Sequence, residues 1–217
     1  VCSALSNYQH IANGIKPTNL IAVSTTKESV DTCTLLFAVK ENDQVIEIPP
    51  AESPFNHSTN TMHFAAMLFD KDADNDVDMN HNNNNNSNVN REKLKHLNLS
   101  KDTALIQITS EGIYYVTSEH EPYFWQLTQK QTQSITHAVS TSQAICIVTN
   151  HQFISLLRQN GTGKLQMAGK KLEVNSQIVD IAVLPVLNDA AFDSMLAVVT
   201  ANQHITIYEI TINGIVL

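Results

Sequence analysis

Short apolar segments of strand length, separated by turn residues, recur along most of this chain. Residues 34–39 (TLLFAV) and 44–48 (QVIEI) flank the turn sequence KEND, and residues 104–109 (ALIQIT) and 113–117 (IYYVT) flank a second turn. Such pairs are typical of β-hairpins. Outside residues 70–90 no segment carries a long apolar period of about 3.6 residues, which an amphipathic helix requires. The sequence therefore predicts an all-β protein.

The same pattern continues through the second half of the chain. Further candidate strands cover residues 135–139, 144–149, 153–157, 178–184, 195–200 and 205–210. Residues 160–163 (NGTG) form a strong hairpin-turn signal, because Asn and Gly accept the positive φ that such turns need. The strands recur about every ten residues, which suits an antiparallel sandwich, barrel or propeller.

The number of strands favours part of a WD40-like β-propeller. We count about fourteen candidate strands, which make about three and a half blades of four strands, whereas propellers have at least four blades. The chain also starts with Val1 rather than Met. We therefore expect about three to four blades of a larger ring.

One segment departs from the β pattern. Residues 70–90 read DKDADNDVDMNHNNNNNSNVN and contain almost no apolar residues, so they cannot offset the entropy lost on ordering. We predict a disordered Asn/Asp-rich insert at residues 70–100, within a partial propeller that spans residues 34–217. Residues 1–33 are then a lead-in segment or the end of a preceding blade.

The net charge of −8 argues against direct capture of nucleic acid. The chain has 13 basic and 21 acidic residues, and no Lys/Arg cluster is interleaved with aromatic side chains. Nucleic acid is therefore expected to reach the protein only through an assembled complex. No apolar run approaches the ~20 residues that span a bilayer, and no signal-peptide pattern is present, so we predict no membrane partner.

An alternating run of aspartates from Asp70 to Asp78 is the strongest metal-binding candidate. An EF-hand loop that begins at Asp70 needs Gly at its sixth position and Glu at its twelfth, where this chain has Asn75 and His81. No helical pattern flanks the run. Calcium binding stays open as the weaker alternative to a solvated acidic loop.

Two further motifs favour structural interpretations. Residues 161–164 (GTGK) superficially suggest a phosphate-binding loop, but the positions that require Gly and Ser or Thr hold Arg158 and Leu165. We keep the hairpin turn as the interpretation of this segment. Triplets of the form N-x-[ST] begin at Asn56, Asn98 and Asn160. We expect these triplets to be unmodified, because they are frequent by chance in a chain of this composition.

Cysteine and histidine give no metal or disulfide signal. The three cysteines are far apart, and Cys33 and Cys146 lie in apolar strand patterns, so we predict buried free thiols in a reducing compartment. His57 and His63 are six residues apart and have no partner at a ligand spacing. Residues 122–125 (PYFW) could form a ligand platform, but core packing is the favoured interpretation.

No residue of the sequence is assigned a catalytic, cofactor-binding or metal-binding role, and no interaction surface is identified. Apolar strand runs do predict core positions. Leu105, Ile147, Leu196 and Ile207 each lie inside such a run, so their truncation to Ala is expected to cost ~2–5 kcal/mol.

Six segments carry a resemblance to a known protein family. They are residues 34–48, 61–70, 104–116, 135–157, 178–186 and 194–210. In this order they resemble a family of very large nuclear scaffolds. Its members are the large subunit of the damage-specific DNA-binding protein, the large propeller subunit of splicing factor three b, and the largest subunit of the cleavage and polyadenylation specificity factor. Each carries three seven-bladed propellers, and the resemblance falls in the second.

The resemblance implies a non-catalytic scaffold in the nucleus that binds protein subunits and needs no cofactor. Residues 163–166 (GKLQ) are most similar to the splicing-factor branch, which favours a role in pre-mRNA splicing. An adaptor of a DNA-damage ubiquitin ligase and a subunit for 3′-end cleavage and polyadenylation are the alternatives. A propeller enzyme is disfavoured, because no convergent set of acids or histidines is evident.

Overall fold

The structure is a computed structural model, and it describes nine stretches of the chain. These are residues 5–6, 19–24, 34–39, 44–68, 103–117, 122–127, 133–160, 164–184 and 194–217. Within them lie sixteen β-strands, one short 3-10 turn and no α-helix. The prediction of an all-β protein is confirmed for this part of the chain. The predicted insert at residues 70–100 lies outside the described residues.

Two four-stranded antiparallel sheets form from the first half of the chain, each with its strands in sequence order. Sheet 1 consists of β1 (Leu5–Ser6), β2 (Asn19–Ser24), β3 (Thr34–Val39) and β4 (Val45–Ile48). Sheet 2 consists of β5 (His63–Leu68), β6 (Thr103–Ile108), β7 (Gly112–Thr117) and β8 (Tyr123–Gln126). The division of the chain at residue 34 stays a prediction, and β1 and β2 of sheet 1 lie on its N-terminal side.

The second half of the chain repeats this arrangement. Sheet 3 consists of β9 (Ile135–Ser140), β10 (Ala144–Thr149), β11 (Phe153–Gln159) and β12 (Leu165–Glu173). Sheet 4 consists of β13 (Ile178–Leu184), β14 (Ser194–Thr200), β15 (Ile205–Thr211) and β16 (Gly214–Val216). A four-stranded antiparallel meander is the blade of a β-propeller, so the predicted fold class is confirmed.

The chain divides into two compact units, Val1–Gln126 and Leu127–Leu217. Each unit contains two sheets and its own apolar cluster. The cluster of the first unit comprises Leu36, Ala38 and Ile48 of sheet 1, Phe64, Leu105 and Val116 of sheet 2, and Phe55 between them. The rings of Phe55 and Phe64 meet edge to face, with centroids 5.0 Å apart.

Sheets 3 and 4 pack together in the second unit. Sheet 3 contributes Ala144, Cys146, Val148, Ile154 and Leu156, and sheet 4 contributes Ile178, Ile181, Leu196, Val198 and Ile210. Burial of such side chains stabilises the folded state by about 25 cal/mol for each Å² of apolar surface removed from water. Most of these residues are aliphatic and several are β-branched, which suits the pleated surface of a strand.

The inner strands of the four sheets differ in burial. Every position of β6 and β10 is buried, whereas β3 and β14 alternate between buried and partly exposed positions. A continuous apolar run fits a strand buried on both faces, and alternation fits a strand buried on one face. Sheets 2 and 3 are therefore buried on both faces at β6 and β10, whereas sheets 1 and 4 are buried on one face at β3 and β14.

Three of the four predicted core residues are buried, and one prediction is wrong. Leu105, Ile147 and Leu196 are confirmed as core positions, but Ile207 is 42% exposed. In sheet 4 Leu196 pairs with Tyr208, and Ile207 pairs with Ala197. Successive side chains of a strand point to opposite faces, so Ile207 lies on the face of sheet 4 opposite the core.

Candidate interaction surface

The connecting loop, residues 49–62, joins sheet 1 to sheet 2 and combines an exposed tip with a buried anchor. It contains a 3-10 turn at Pro50–Glu52, whose residues are exposed. Ser58 and Asn60 are also exposed. Phe55 points into the apolar cluster of the first unit. A loop of this kind can present polar groups to a partner in a fixed conformation.

Gln107 holds the connecting loop onto sheet 2. Its side chain is 1% exposed, and its Oε1 accepts a hydrogen bond of 2.8 Å from the backbone N of Asn56. Its Nε2 donates to the backbone O of Asn56 at 2.6 Å and to Oγ1 of Thr61 at 2.7 Å. These bonds offset the cost of burying the amide.

Asn56 is fixed by its side chain as well as its backbone. Its Nδ2 donates to the hydroxyl of Tyr114 at 2.8 Å. Its Oδ1 accepts from the backbone N of Ser58 at 2.8 Å and from Oγ of Ser58 at 2.7 Å. This Asx-type turn shapes the exposed part of the connecting loop. The amide of the N-x-[ST] triplet at Asn56 is therefore already engaged within the fold.

His57 joins the connecting loop to sheet 1. Its Nδ1 lies 2.8 Å from the backbone O of Thr34, so Nδ1 carries the hydrogen, and the backbone N of Thr34 donates to the backbone O of His57 at 3.1 Å. Nε2 of His57 is buried and has no hydrogen-bond partner among the residues that the structure describes. Burial is the main cause that lowers the pKa of His57, and the bond to Thr34 acts against it. The ring is neutral at pH 7.

The aromatic segment predicted as core or ligand platform forms β8, the last strand of sheet 2. Tyr123, Phe124 and Trp125 are all half-buried. The ring of Phe124 lies against that of Tyr114, with centroids 4.5 Å apart. A Cβ atom at Gly112 would lie 2.7 Å from the Phe124 ring, so glycine allows this ring to lie over the strand. The packing interpretation is supported for Phe124.

A pair of histidines in sheet 3 was missed in the sequence. The rings of His137 and His151 meet edge to face at 5.5 Å. Oγ1 of Thr136 contacts Nδ1 of His137 at 3.2 Å and accepts from the backbone N of His151 at 3.3 Å. Burial lowers the pKa of His137. The pair forms because β9 lies beside β10, and the spacing of fourteen residues gives no linear signal.

No three His, Cys, Asp or Glu side chains come together at metal-binding distance within the described stretches. His63 is largely buried, and burial lowers its pKa to about 4. The aspartates 70–78, His81, His96, Cys2 and Cys33 lie outside the described residues.

Cys146 and the residue 160–163 turn confirm two structural predictions. Cys146 is a buried free thiol, and burial raises its pKa to about 12. The strands β11 and β12 form the predicted hairpin, and the backbone N of Asn160 donates to the backbone O of Lys164 at 2.9 Å. Residues 161–163 themselves lie outside the described part of the chain.

Comparison with known proteins gives one family. Residues 16–215 match a family described as the RSE1/DDB1/CPSF1 second beta-propeller. No curated protein sequence matches the chain. Among the described residues no helix has the length and hydrophobicity needed to cross a membrane.

Two solved structures are similar in outline. One is BBS1N in complex with ARL6DN, soaked with lead, with a TM-score of 0.44, 10% identity, and coverage of 88% of this chain and 52% of that one. The other is the same complex soaked with mercury, with a TM-score of 0.42, 10% identity, and coverage of 88% and 51%. The chain spans about half the length of these BBS1N chains.

Proposed function

Because the chain belongs to the RSE1/DDB1/CPSF1 second β-propeller family, we propose that it is a non-catalytic scaffold that binds protein subunits of a nuclear complex. The match over residues 16–215 is the observation that carries this proposal. Propellers present rigid loops at the ends of their blades, and such loops serve as contact surfaces without supplying chemistry. No cofactor is part of the proposal.

Within that role we favour pre-mRNA splicing. The similarity of residues 163–166 to the splicing-factor branch favours this role over those of the ubiquitin-ligase and polyadenylation branches. Nucleic acid then contacts other subunits of the complex, which agrees with the net charge of −8 on this chain.

The exposed tip of the connecting loop is the proposed contact surface. Pro50, Glu52, Ser58 and Asn60 are exposed, whereas Gln107 and its partners fix the base of the loop. A surface that is already ordered loses little conformational entropy when a partner binds.

Affinity purification of the tagged natural protein tests the function. We expect splicing subunits among the proteins recovered, whereas ligase or polyadenylation subunits would favour the other branches. Recovery of the protein alone, or a catalytic turnover by it, would contradict the scaffold role.

A matched pair of variants tests the contact surface. The double substitution Glu52→Lys with Asn60→Lys places two cations on the connecting loop, and we expect it to lose partners without a change in thermal midpoint. The control, Gln166→Lys with Glu173→Lys, makes the same charge change on exposed positions of β12. If both variants keep all partners, the loop is not the contact surface.

A further inference from the structure

Two histidine side chains meet at one end of sheet 3. His137 lies in β9 and pairs with Val148 of β10, and His151 lies in the turn between β10 and β11. Asn150 and His151 both have a left-handed backbone, with φ of 53° and 56°, which makes this turn tight. The two imidazole rings come into contact, with their centres 5.5 Å apart.

The backbone of His151 is held from two sides. Its N–H donates to Oγ1 of Thr136 at 3.3 Å, and its carbonyl accepts from the backbone N of Ile178 at 2.6 Å. The preceding residue is fixed as well, because the backbone N of Asn150 donates to the backbone O of Ser134 at 3.2 Å and its Oδ1 accepts from the backbone N of Ser134 at 3.3 Å. A turn that is already ordered loses little conformational entropy when it binds a ligand.

The hydroxyl of Thr136 determines which nitrogen of His137 is open to a ligand. It donates its own hydrogen to the backbone O of Val148 at 3.3 Å, so toward Nδ1 of His137, 3.2 Å away, it can only accept. Nδ1 of the neutral ring therefore carries the hydrogen, and Nε2 carries the electron pair. Metal-binding histidines are oriented in this way, by a hydrogen bond from the nitrogen that does not bind the ion.

The surroundings of His137 favour a cation over an anion. Burial is the main cause that lowers its pKa, and His151 acts in the same direction, so the ring is neutral at pH 7. A hydrogen bond with the backbone of Val179 and the charge of Asp180 act to raise the pKa, because both place oxygen atoms near the ring. The single N–H of the neutral ring is already donated to Thr136, so a bound metal ion would supply the positive charge that these oxygens favour.

We propose that His137 and His151 form a binding site for a divalent transition-metal ion such as Zn²⁺ or Cu²⁺. At metal–nitrogen distances of about 2.0–2.1 Å, two imidazoles in tetrahedral positions on one ion have centres roughly 5 Å apart. The observed 5.5 Å is close to this separation. Water fills the remaining positions, since no set of three His, Cys, Asp or Glu side chains in the described stretches is placed to hold a metal. The site does not depend on the scaffold function.

The nitrogen ligands determine which ions the site takes. Imidazole suits Zn²⁺ and Cu²⁺, and the usual order of stability places Cu²⁺ above Zn²⁺. Mg²⁺ and Ca²⁺ prefer oxygen ligands, so we expect neither to compete. His151 is exposed and His137 is half-buried, so an ion reaches both rings from solvent while the sheet stays intact.

Protection of the histidines by Zn²⁺ against diethyl pyrocarbonate tests the site in the full natural chain. The reagent acylates neutral imidazole, and peptide mass spectrometry follows each histidine separately. We expect micromolar Zn²⁺ to slow modification of His137 and His151 with one half-saturating concentration, and to leave the exposed His204 unaffected. Mg²⁺ at the same concentrations should protect none of the three. Failure to protect His137 and His151, or equal protection of His204, would overturn the proposal.

Substitutions test whether the two histidines hold one ion. His137→Gln should raise the Zn²⁺ concentration that half-protects His151 by at least ~10-fold, and His151→Gln should do the same for His137. His204→Gln is the control and should change neither value. Because position 151 is exposed, His151→Gln is expected to keep the thermal midpoint and so remains informative if His137→Gln unfolds. Protection of either histidine that persists unchanged after loss of the other would contradict a shared ion.

The orienting role of Thr136 has its own test. Thr136→Val keeps the shape of the side chain but removes the acceptor for Nδ1–H of His137, and we expect it to raise the half-saturating Zn²⁺ concentration by ~10-fold. Thr136→Ser keeps the hydroxyl and should restore the original value. If Val and Ser weaken binding equally, the hydroxyl does not orient His137.

Discussion

Gln107 is a polar residue at a position where other sheets carry apolar ones. It lies two residues before Thr109, as Ile147 and Val198 lie two residues before Thr149 and Thr200. In place of apolar packing, the amide of Gln107 makes the hydrogen bonds that fix the connecting loop. The sequence placed Gln107 in a strand but gave no sign of this partner, because the bonds reach about fifty positions back along the chain.

Replacement of Gln107 by Leu should destabilise the first unit although Leu is more apolar. The backbone N and O of Asn56 and Oγ1 of Thr61 would lose their partner in a buried site. We expect a loss of ~2–4 kcal/mol in unfolding free energy, measured by urea titration. Gln166→Leu on exposed β12 is the control and should change it by less than ~0.5 kcal/mol. Equal effects of the two substitutions would show that the hydrogen bonds of Gln107 contribute little to the free energy of unfolding.

His63 makes stability depend on pH. Burial lowers its pKa to about 4, below the 6.5 of the unfolded chain, so the unfolded state binds more protons between these values. Unfolding free energy should therefore rise with pH through this window and reach its full value above about 6.5, a gain on the order of 3 kcal/mol.

Urea titrations at about pH 5 and about pH 7.5 compare the original chain with His63→Gln. We expect a smaller difference between the two pH values in the variant. His57 and His137, whose pKa values burial also lowers, should leave part of the dependence in place. An unchanged difference would mean that His63 does not take up a proton when the chain unfolds.

At the scale of the elements, β11 pairs with β10 in the same register as β15 pairs with β14, but β11 is more deeply buried than β15. Leu156→Ala should cost ~2–5 kcal/mol, and Ile207→Ala less than ~1 kcal/mol in this chain, because only Leu156 is buried. Urea unfolding of the two variants measures the difference. Similar losses would place Ile207 in a packed environment within these residues.

Glycine determines how the last strand of sheet 2 lies on its neighbour. A Cβ at Gly112 would lie 2.3 Å from the backbone O of Trp125. Gly112→Ala should therefore displace β8, lower the thermal midpoint and shift the emission of Trp125, the single tryptophan of the chain. Lys170→Ala is the control with an exposed side chain. Unchanged emission in the Gly112 variant would show that the strand accommodates the methyl group.

Most of the described strands could be predicted, and the failure at β12 has a physical cause. The apolar runs that became β6, β10 and β14 gave clear signals because their buried positions are continuous or alternate. β12 was not among the candidate strands. It is an outer strand with mostly exposed polar positions and a shifted register, so no apolar period marks it.

At the scale of the whole molecule, the family could be identified from the order in which short segments follow one another along the chain. Segments from residue 34 to residue 210 resembled the family in sequence order, and the match over residues 16–215 confirms it. The face that each strand buries was harder to predict, as Ile207 shows. A shift of one residue exchanges the two faces of a strand, and sequence alone does not fix that register.

The charge of the whole chain should prevent tight binding of nucleic acid. With 21 acidic against 13 basic residues, we expect no sub-micromolar RNA affinity at physiological salt. Fluorescence anisotropy with single-stranded RNA measures this, and a heat-denatured sample controls for nonspecific association. Tight, salt-sensitive binding would favour direct recognition over a scaffold role.

Cys146 lies in the apolar cluster between sheets 3 and 4, where its sulfur is hidden from solvent and held in the thiol form. An alkylating reagent reacts with the thiolate, so it can modify this residue only after the two sheets separate. The rate of modification, followed by peptide mass spectrometry, therefore reports how often this interface opens in otherwise native protein. The sulfur of Cys146 is thus a built-in probe of local opening in the second unit.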